Sequence, residues 1–295
     1  MLYVVTAVHN RKILTREFLT SLSLQSSNNF KVIIVDDAST DGTIEMVEQE
    51  FPEVILLKVD GDLWWAEGTN IGVRFALKNG ASSILTLNDD VILKSDYIEK
   101  MIYWTKQKPS AILGSFAINI YDNSPLYGGQ IWDWRGCEPI NLLKTIDKRD
   151  WNGLHQVNVS PGRGLLIPKE VFSSIGFFDS HNFPQTVADI DFTFRATRSG
   201  YEIFCNFDAI LKSYPKESSG VQLRVNKSIK NYILHLFSKK GAGNLKYFTI
   251  MTLKNCPKKY IPQYLLIGWS RRLFGYPLEW LKNLLLRDDG KSRKQ

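Results

Sequence analysis

The first ninety residues alternate between apolar runs and helical stretches, and that alternation restricts the fold more than any other feature of the chain. Residues 2–8, 30–35, 54–59 and 82–87 are short runs rich in Val, Ile and Leu, separated by stretches 14–24, 43–50 and 66–78 with apolar residues near helical spacing. Such repeats predict βαβ units around a mostly parallel, buried sheet. Right-handed crossovers would bring the C-terminal ends of all four strands to one rim, the edge where open α/β sheets bind ligands. That rim gathers Thr6, Asn10, Arg11, Asp37, Asn88, Asp89 and Asp90. The pattern is that of a nucleotide-binding half. It contains neither GxGxxG nor GxxxxGK[ST], so dinucleotide binding and Walker-type phosphate binding are not supported.

The fourth strand ends in Asn88-Asp89-Asp90 before apolar residues resume at Val91. Adjacent carboxylates repel unless a cation or solvent compensates them. Two readings follow: a divalent metal holding a phosphorylated ligand, or a solvated acidic turn. Beyond the triplet, a helix is expected over 95–107 and a strand over 111–120, and from Tyr121 to His155 the alternation gives way to loops and hairpins. Short strands at 156–159 and 165–167 flank Pro161-Gly162-Arg163-Gly164, and a short helix follows over 168–175. The helix expected over 186–196 opens with Asp189 and Asp191 and closes near Arg195 and Gly200, a polarity that matches the helix dipole. Strands at 201–205 and 209–211 complete this part.

Charge divides the chain. Residues 1–220 hold 21 Lys and Arg against 27 Asp and Glu, a net of −6; residues 221–295 hold 16 against 3, a net of +13, and together they give +7. From Val225 onward the pattern is helical, interrupted by Pro257, Pro262 and Pro277, with an unstructured tail expected from Lys291. The expected organisation is an α/β domain over 1–220 and a basic helical region over 221–295. The basic region suits an anionic membrane surface; a solvated helical cap or a homo-oligomer interface is the plainer alternative. Nucleic acid is not expected as a partner, because the body is acidic and the tail lacks a groove-reading motif. Cys137, Cys205 and Cys256 are widely spaced, which fits a reducing compartment better than a disulfide framework or a zinc site. No leader peptide is visible, and no apolar stretch reaches the roughly 18 residues a membrane-spanning helix needs.

Four blocks, in order, carry a family likeness: Val5-Thr6-Ala7-Val8-His9-Asn10-Arg11; Val35-Asp36-Asp37-Ala38-Ser39-Thr40-Asp41-Gly42; Trp64-Trp65-Ala66-Glu67-Gly68-Thr69-Asn70-Ile71-Gly72 with Asn88-Asp89-Asp90; and Ala188-Asp189-Ile190-Asp191-Phe192 with Arg195. The chain resembles the family 2 glycosyltransferases over roughly residues 3–215, and looks most similar to bacterial rhamnosyl- and galactofuranosyl-type members. The resemblance implies a GT-A fold: a Rossmann-like nucleotide-binding half fused to an acceptor-binding half, here followed by the basic helices. It also implies a metal-dependent, inverting transfer from dTDP-rhamnose or a UDP-sugar to a saccharide, lipid-linked in the setting of surface polysaccharide synthesis. The place of action would be the cytoplasm, peripheral on the inner face of the plasma membrane. Asn88 stands where the family has the first Asp of D-x-D, Ala188 where it has Glu, and Leu211-Lys212-Ser213-Tyr214 offers no His. These departures leave open a binding protein with a decayed site.

By the same resemblance, Asp89 and above all Asp90 hold Mg²⁺ or Mn²⁺. Asp37 bonds the nucleotide base, with Asp36 the alternative. Thr6, Asn10, Arg11, Trp65, Gly68, Asn70, Asn88 and Asp89 serve the nucleotide-sugar donor. Asp189 is the general base, Asp191 orients a loop or Arg195, and Gly162 with Arg163 forms part of the acceptor wall. Each has a structural alternative: a helix cap for Asp189, an Asx turn for Asp36 and Asp37, packing for Trp64 and Trp65, a plain turn for Gly162 and Arg163, and a surface ion pair for Arg11.

Overall fold

A computed structural model of the chain describes residues 1–215 and 219–292. Of the expected unstructured tail, residues 293–295 lie outside the described residues. The chain forms two compact units, Met1–Asp133 with Pro139–Pro215, and Trp134–Glu138 with Lys216–Gln295.

In the first unit the expected alternation is present. β1 (Leu2–Val8), α1 (Lys12–Ser23), β2 (Phe30–Asp37), α2 (Thr43–Glu50), β3 (Ile55–Val59), α3 (Trp64–Lys78) and β4 (Ser83–Thr86) follow in order. β4, β1, β2 and β3 lie side by side and all parallel. Their Val and Ile side chains supply both faces of the core, with Val4, Val5, Ile33, Ile34 and Leu85 fully buried. After β5 (Val91–Leu93) and α4 (Tyr97–Gln107) come β6 (Ile112–Asn119), β7 (Pro125–Tyr127), β8 (Gln130–Asp133), β9 (Glu138–Asn141), β10 (Leu154–Val157) and β11 (Leu165–Pro168). Then α5 (Lys169–Ile175), α6 (Ala188–Arg198) and β12 (Ile203–Ser213) close the unit. The sheet runs β10-β12-β6-β11-β4-β1-β2-β3, with β5 on β12 and β7 on β6; β8 and β9 pair separately. β11 is antiparallel to both β4 and β6. It thereby carries the Pro161–Gly164 loop to the rim where the parallel strands end.

Several boundaries differ from the sequence reading: the strand expected over 156–159 is β10 at Leu154–Val157, and the helix expected over 186–196 is α6 at Ala188–Arg198. α3 begins at Trp64 rather than Ala66. The two expected strands 201–205 and 209–211 are one strand, β12, with a bulge between Asn206 and Ile210. The bulge exposes Asp208 to two donors, Trp104 Nε1 at 2.8 Å and the Gly153 amide at 3.0 Å, so the pairing is interrupted without ending the strand.

The second unit is helical: α7 (Ser219–Val225), α8 (Ile229–Phe237), α9 (Leu245–Asn255) and α10 (Ile261–Ser292). Ser228 and Asn244 cap α8 and α9, accepting from the amides of Asn231 and Tyr247 at 3.1 and 2.9 Å. Gly268 lets α10 close on Phe248, whose ring also lies 3.7 Å from the Arg272 guanidinium. Burial pushes the Arg272 pKa down to about 10. Trp134 packs on Tyr264 with ring centroids 4.9 Å apart, and Arg271 donates to the Cys137 carbonyl at 2.8 Å and pairs with Glu138 at 2.7 Å. Those contacts join 134–138 to the helices, which the sequence did not suggest. Pro257 precedes a short turn, and Pro262 sits in the first turn of α10, where a missing N–H is harmless. Pro277 does not break α10 as expected. Its neighbour Tyr276 is buried, bonded to the Leu223 carbonyl and the Ser228 amide at 3.2 Å each, and this anchoring offsets the lost helix bond. Among the described residues no helix is long and apolar enough to cross a membrane.

Candidate active site

The rim is built by loops that brace one another. Asn10 receives the Thr40 amide on its Oδ1 at 2.7 Å and donates its own amide to Ser39 Oγ at 2.8 Å. Asp41 accepts the Lys12 amide at 2.9 Å, and Asp36 accepts the Ser39 amide at 2.8 Å. The Asp-rich block thus folds the β2–α2 loop back onto the start of α1, with Gly42 in the left-handed region at φ 84°. Asp37 accepts the Leu63 and Trp64 amides at 3.1 Å and closes the loop before α3. The carboxylate expected to meet a nucleotide base thus accepts backbone amides in this structure. Asn10, Ala38, Asp62, Trp64 and Val187 all have φ between 51° and 75°. Non-glycine residues seldom occupy that region, and here they concentrate in the loops around the rim.

Asp89 and Asp90 are almost completely buried. Arg11 reaches across them, 2.9 Å from Asp89 Oδ1 and 3.8 Å from Asp90 Oδ2. Thr15, a residue the sequence did not single out, donates to Asp89 Oδ2 at 3.3 Å. Burial raises the Asp89 pKa to about 7, against the opposing pull of Arg11. Three buried oxygens at the strand ends have no hydrogen-bond partner: Thr6 Oγ1, Asp36 Oδ2 and Asp90 Oδ1. Buried polar atoms are almost always satisfied, so bare ones at a rim mark places for ligand or cation. Among the described residues no three His, Cys, Asp or Glu side chains gather as a self-sufficient metal site. The bare Asp90 oxygen fits a hard cation whose other ligands are diphosphate and water.

Trp65 connects this pair to the far side of the site. Its Nε1 donates to Asn88 Oδ1 at 3.0 Å, while its ring lies where a Cβ on Gly162 would stand, 2.5 Å from Cζ2 and Cη2. Gly162 is therefore required by the indole, beyond any turn preference. The Gly162 amide donates to Asp189 Oδ2 at 2.8 Å, and the Ile190 amide to Asp189 Oδ1 at 2.9 Å. Burial raises the Asp189 pKa, while these amides and the charge of Arg163 pull the other way. Asp189 is the second residue of α6, and Val187 just before it sits at φ 75°, an outlier for a β-branched residue. Arg163 donates to Ser213 Oγ at 2.7 Å, and the Tyr214 amide meets the Asp90 carbonyl at 3.3 Å. The segment that lacks a His thus still lines the Asp89–Asp90 corner.

The remaining predicted residues hold the scaffold. Arg195 pairs with Asp191 at 2.9 Å and donates to the carbonyls of Ile175 and Phe177 at 2.5 and 2.7 Å, which holds the 175–178 loop against α6. Asn70 bonds the Phe178 backbone in both directions, at 2.9 and 3.0 Å, so its amide joins α3 to that loop rather than facing the rim. At Gly68 the close approach is of α3 to β1: an added Cβ would stand 2.9 Å from the Ala7 Cβ.

The pattern of the family described as Glycosyl transferase family 2 matches residues 3–172. The chain belongs to this family. A dTDP-rhamnosyl transferase, RfbF, from Shigella flexneri is 24% identical over 182 residues, and an uncharacterized glycosyltransferase from Haemophilus influenzae is 32% identical over 110. The alignments cover 62% and 37% of this chain, and span 58% and 36% of those relatives. GalNAc-T7, solved with UDP, GalNAc and Mn²⁺, superposes with a TM-score of 0.61 at 12% identity over 90% of this chain and 54% of that one. S. aureus TarS 1–349, solved with UDP, gives 0.56 at 14% identity over 92% and 71%. The GT-A fold expected from the four blocks is therefore the fold of this family 2 chain. Its departures have local accounts. Asn88 still accepts the Trp65 indole as an Asp would, and Ala188 is fully buried, where a Glu would place its carboxylate in the core.

Proposed function

We propose that this family 2 glycosyltransferase moves a sugar from a nucleoside-diphosphate donor to a saccharide hydroxyl with inversion. The acceptor oxygen forms its bond to the anomeric carbon as the bond to the diphosphate oxygen breaks, and the hydroxyl proton passes to Asp189. The observation that carries this reading is the Trp65 junction, which ties the buried Asp89–Asp90 corner through Asn88 to Gly162 and Asp189. A donor and an acceptor met there would have diphosphate chemistry on one side and a base on the other.

Asp189 suits the base because burial already disfavours its ionised form, so its affinity for a proton exceeds that of an ordinary carboxylate. Asp90, supported by Asp89, would hold Mg²⁺ or Mn²⁺, which supplies Lewis-acid stabilisation of the departing diphosphate when bound. Arg11, already a mobile-length cation over both carboxylates, would meet phosphate oxygens. Thr6 Oγ1 and Asp36 Oδ2, bare and buried, would receive the nucleoside. Gly162 and Arg163 would face the acceptor. The Shigella relative makes dTDP-rhamnose the first donor to try; the UDP complexes of the two fold neighbours make UDP-sugars the second. A lipid-linked saccharide is the acceptor form we favour.

Thermal unfolding across a panel of dTDP- and UDP-sugars, with Mg²⁺, Mn²⁺ or EDTA, tests the reading. A ligand at a hundred times its Kd should stabilise the native state by about 2.7 kcal/mol. One donor should shift the midpoint in a metal-dependent way and then be turned over. Absence of a shift with every nucleotide sugar would overturn it.

A further inference from the structure

The helical unit presents apolar side chains to solvent in organised rows. On α8, Ile229, Ile233 and Phe237 follow one another at helical spacing and are 68%, 52% and 66% exposed, while His235 and Leu236 of the same helix are buried. α8 is thus apolar around most of its circumference and packed on one side only. On α10, Phe274, Leu278 and Leu281 form a second exposed row. Between α9 and α10 lies an open groove of about 440 Å³ lined by Leu245, Lys246, Thr249, Ile250, Trp269 and Leu273. Trp269 Nε1 donates to Thr249 Oγ1 at 3.0 Å, and apart from Lys246 the rest of the groove wall is apolar. Soluble surfaces seldom concentrate this much apolar area without a function.

Charge decides what covers it. The same region carries 16 Lys and Arg against 3 Asp and Glu, and Lys230 on α8 and Lys246 at the groove are exposed. A second copy would bring an equal charge of like sign to the face. An anionic bilayer complements it: apolar side chains and a Trp enter at headgroup depth while Lys side chains reach lipid phosphates. We infer that the helical unit docks on an anionic membrane surface through the α8 row and the α9–α10 groove, the groove accepting an acyl or polyprenyl chain. No helix spans the bilayer in this arrangement. The inference rests on the second unit alone and does not require the transferase reading.

The test is sedimentation of the full chain with vesicles of phosphatidylcholine and phosphatidylglycerol, and with vesicles of phosphatidylcholine alone. Binding to the anionic vesicles should be at least about tenfold tighter and should weaken as salt rises. The variant Ile229→Ser, Ile233→Ser, Phe237→Ser removes only exposed groups, so its circular dichroism and unfolding should match wild type while vesicle affinity falls about tenfold or more. Trp269→Ala, at the groove, gives a second reading of the same surface and should also weaken binding. Equal binding to both vesicle types, no binding, or a dimer abolished by the triple variant would overturn the inference. Donor-induced stabilisation, measured without vesicles, reports on the catalytic reading separately.

Discussion

Two buried acidic positions in this site are stabilised by different means. Asp89 faces a guanidinium and a threonine hydroxyl, with a second carboxylate next in sequence. Asp189 faces backbone amides from Gly162 and Ile190, with Arg163 acting as a charge nearby. Burial raises both pKa values. The partners differ in what they permit. A guanidinium over a carboxylate pair can turn to another anion, so on the proposed reading the first corner exchanges ionic partners. Backbone amides cannot leave, so Asp189 keeps its orientation while its proton affinity changes, which is what proton transfer to a fixed base requires.

That contrast is broken most severely at Asp90. Asp90→Ala removes the bare oxygen and should lower metal-dependent turnover by about a thousandfold, since metal assistance is worth several kcal/mol. Wild-type rates in that variant, measured at saturating donor, would remove Asp90 from the metal corner. The next effect is on stability, in protein free of metal and nucleotide. Asp89 binds its proton more tightly folded than unfolded, with a pKa of about 7 against 3.8. Its contribution to stability is present at acid pH and is lost as pH rises through about 7. The advantage of Asp89→Asn in midpoint temperature over wild type should therefore grow as pH rises from about 4 to about 7 and level off above that; a difference independent of pH would show that the ionised form is not disfavoured there. The smallest effect is expected at the junction. Trp65→Phe keeps the ring against Gly162 but leaves Asn88 Oδ1 without its donor, a loss of about 1 kcal/mol, or roughly fivefold in turnover. A larger loss with unchanged donor affinity would mean the indole N–H also touches a reactant.

The parallel half of the fold was legible because period and length agree: short Val/Ile runs between amphipathic helices admit few arrangements. The rim followed from topology, and with it Asp89, Asp90 and Arg11. What the sequence did not disclose depends on contacts between distant residues. Nothing local marks Thr15 as the partner of Asp89, or Trp65 as the side chain that makes Gly162 obligatory. Asn70 and Gly68 sit in the expected block, yet their environment turns them toward Phe178 and Ala7. The bulge at 206–210 looks like a strand break in the sequence because an interrupted pattern and an interrupted strand are alike in one dimension. Pro277 misled for a related reason, since propensity is local and the anchoring of Tyr276 is not.

The most direct test of the account is Asp189→Asn, which keeps size and hydrogen-bonding shape while removing the base. Donor affinity by calorimetry should stay within about threefold of wild type, and turnover should fall by about 10²–10⁴-fold. The wild-type rate itself should decline on acidification through a pKa above the ordinary carboxylate range, as a raised Asp189 pKa requires. Retained turnover in Asp189→Asn, with folding and donor affinity intact, would contradict the assignment of Asp189 as base.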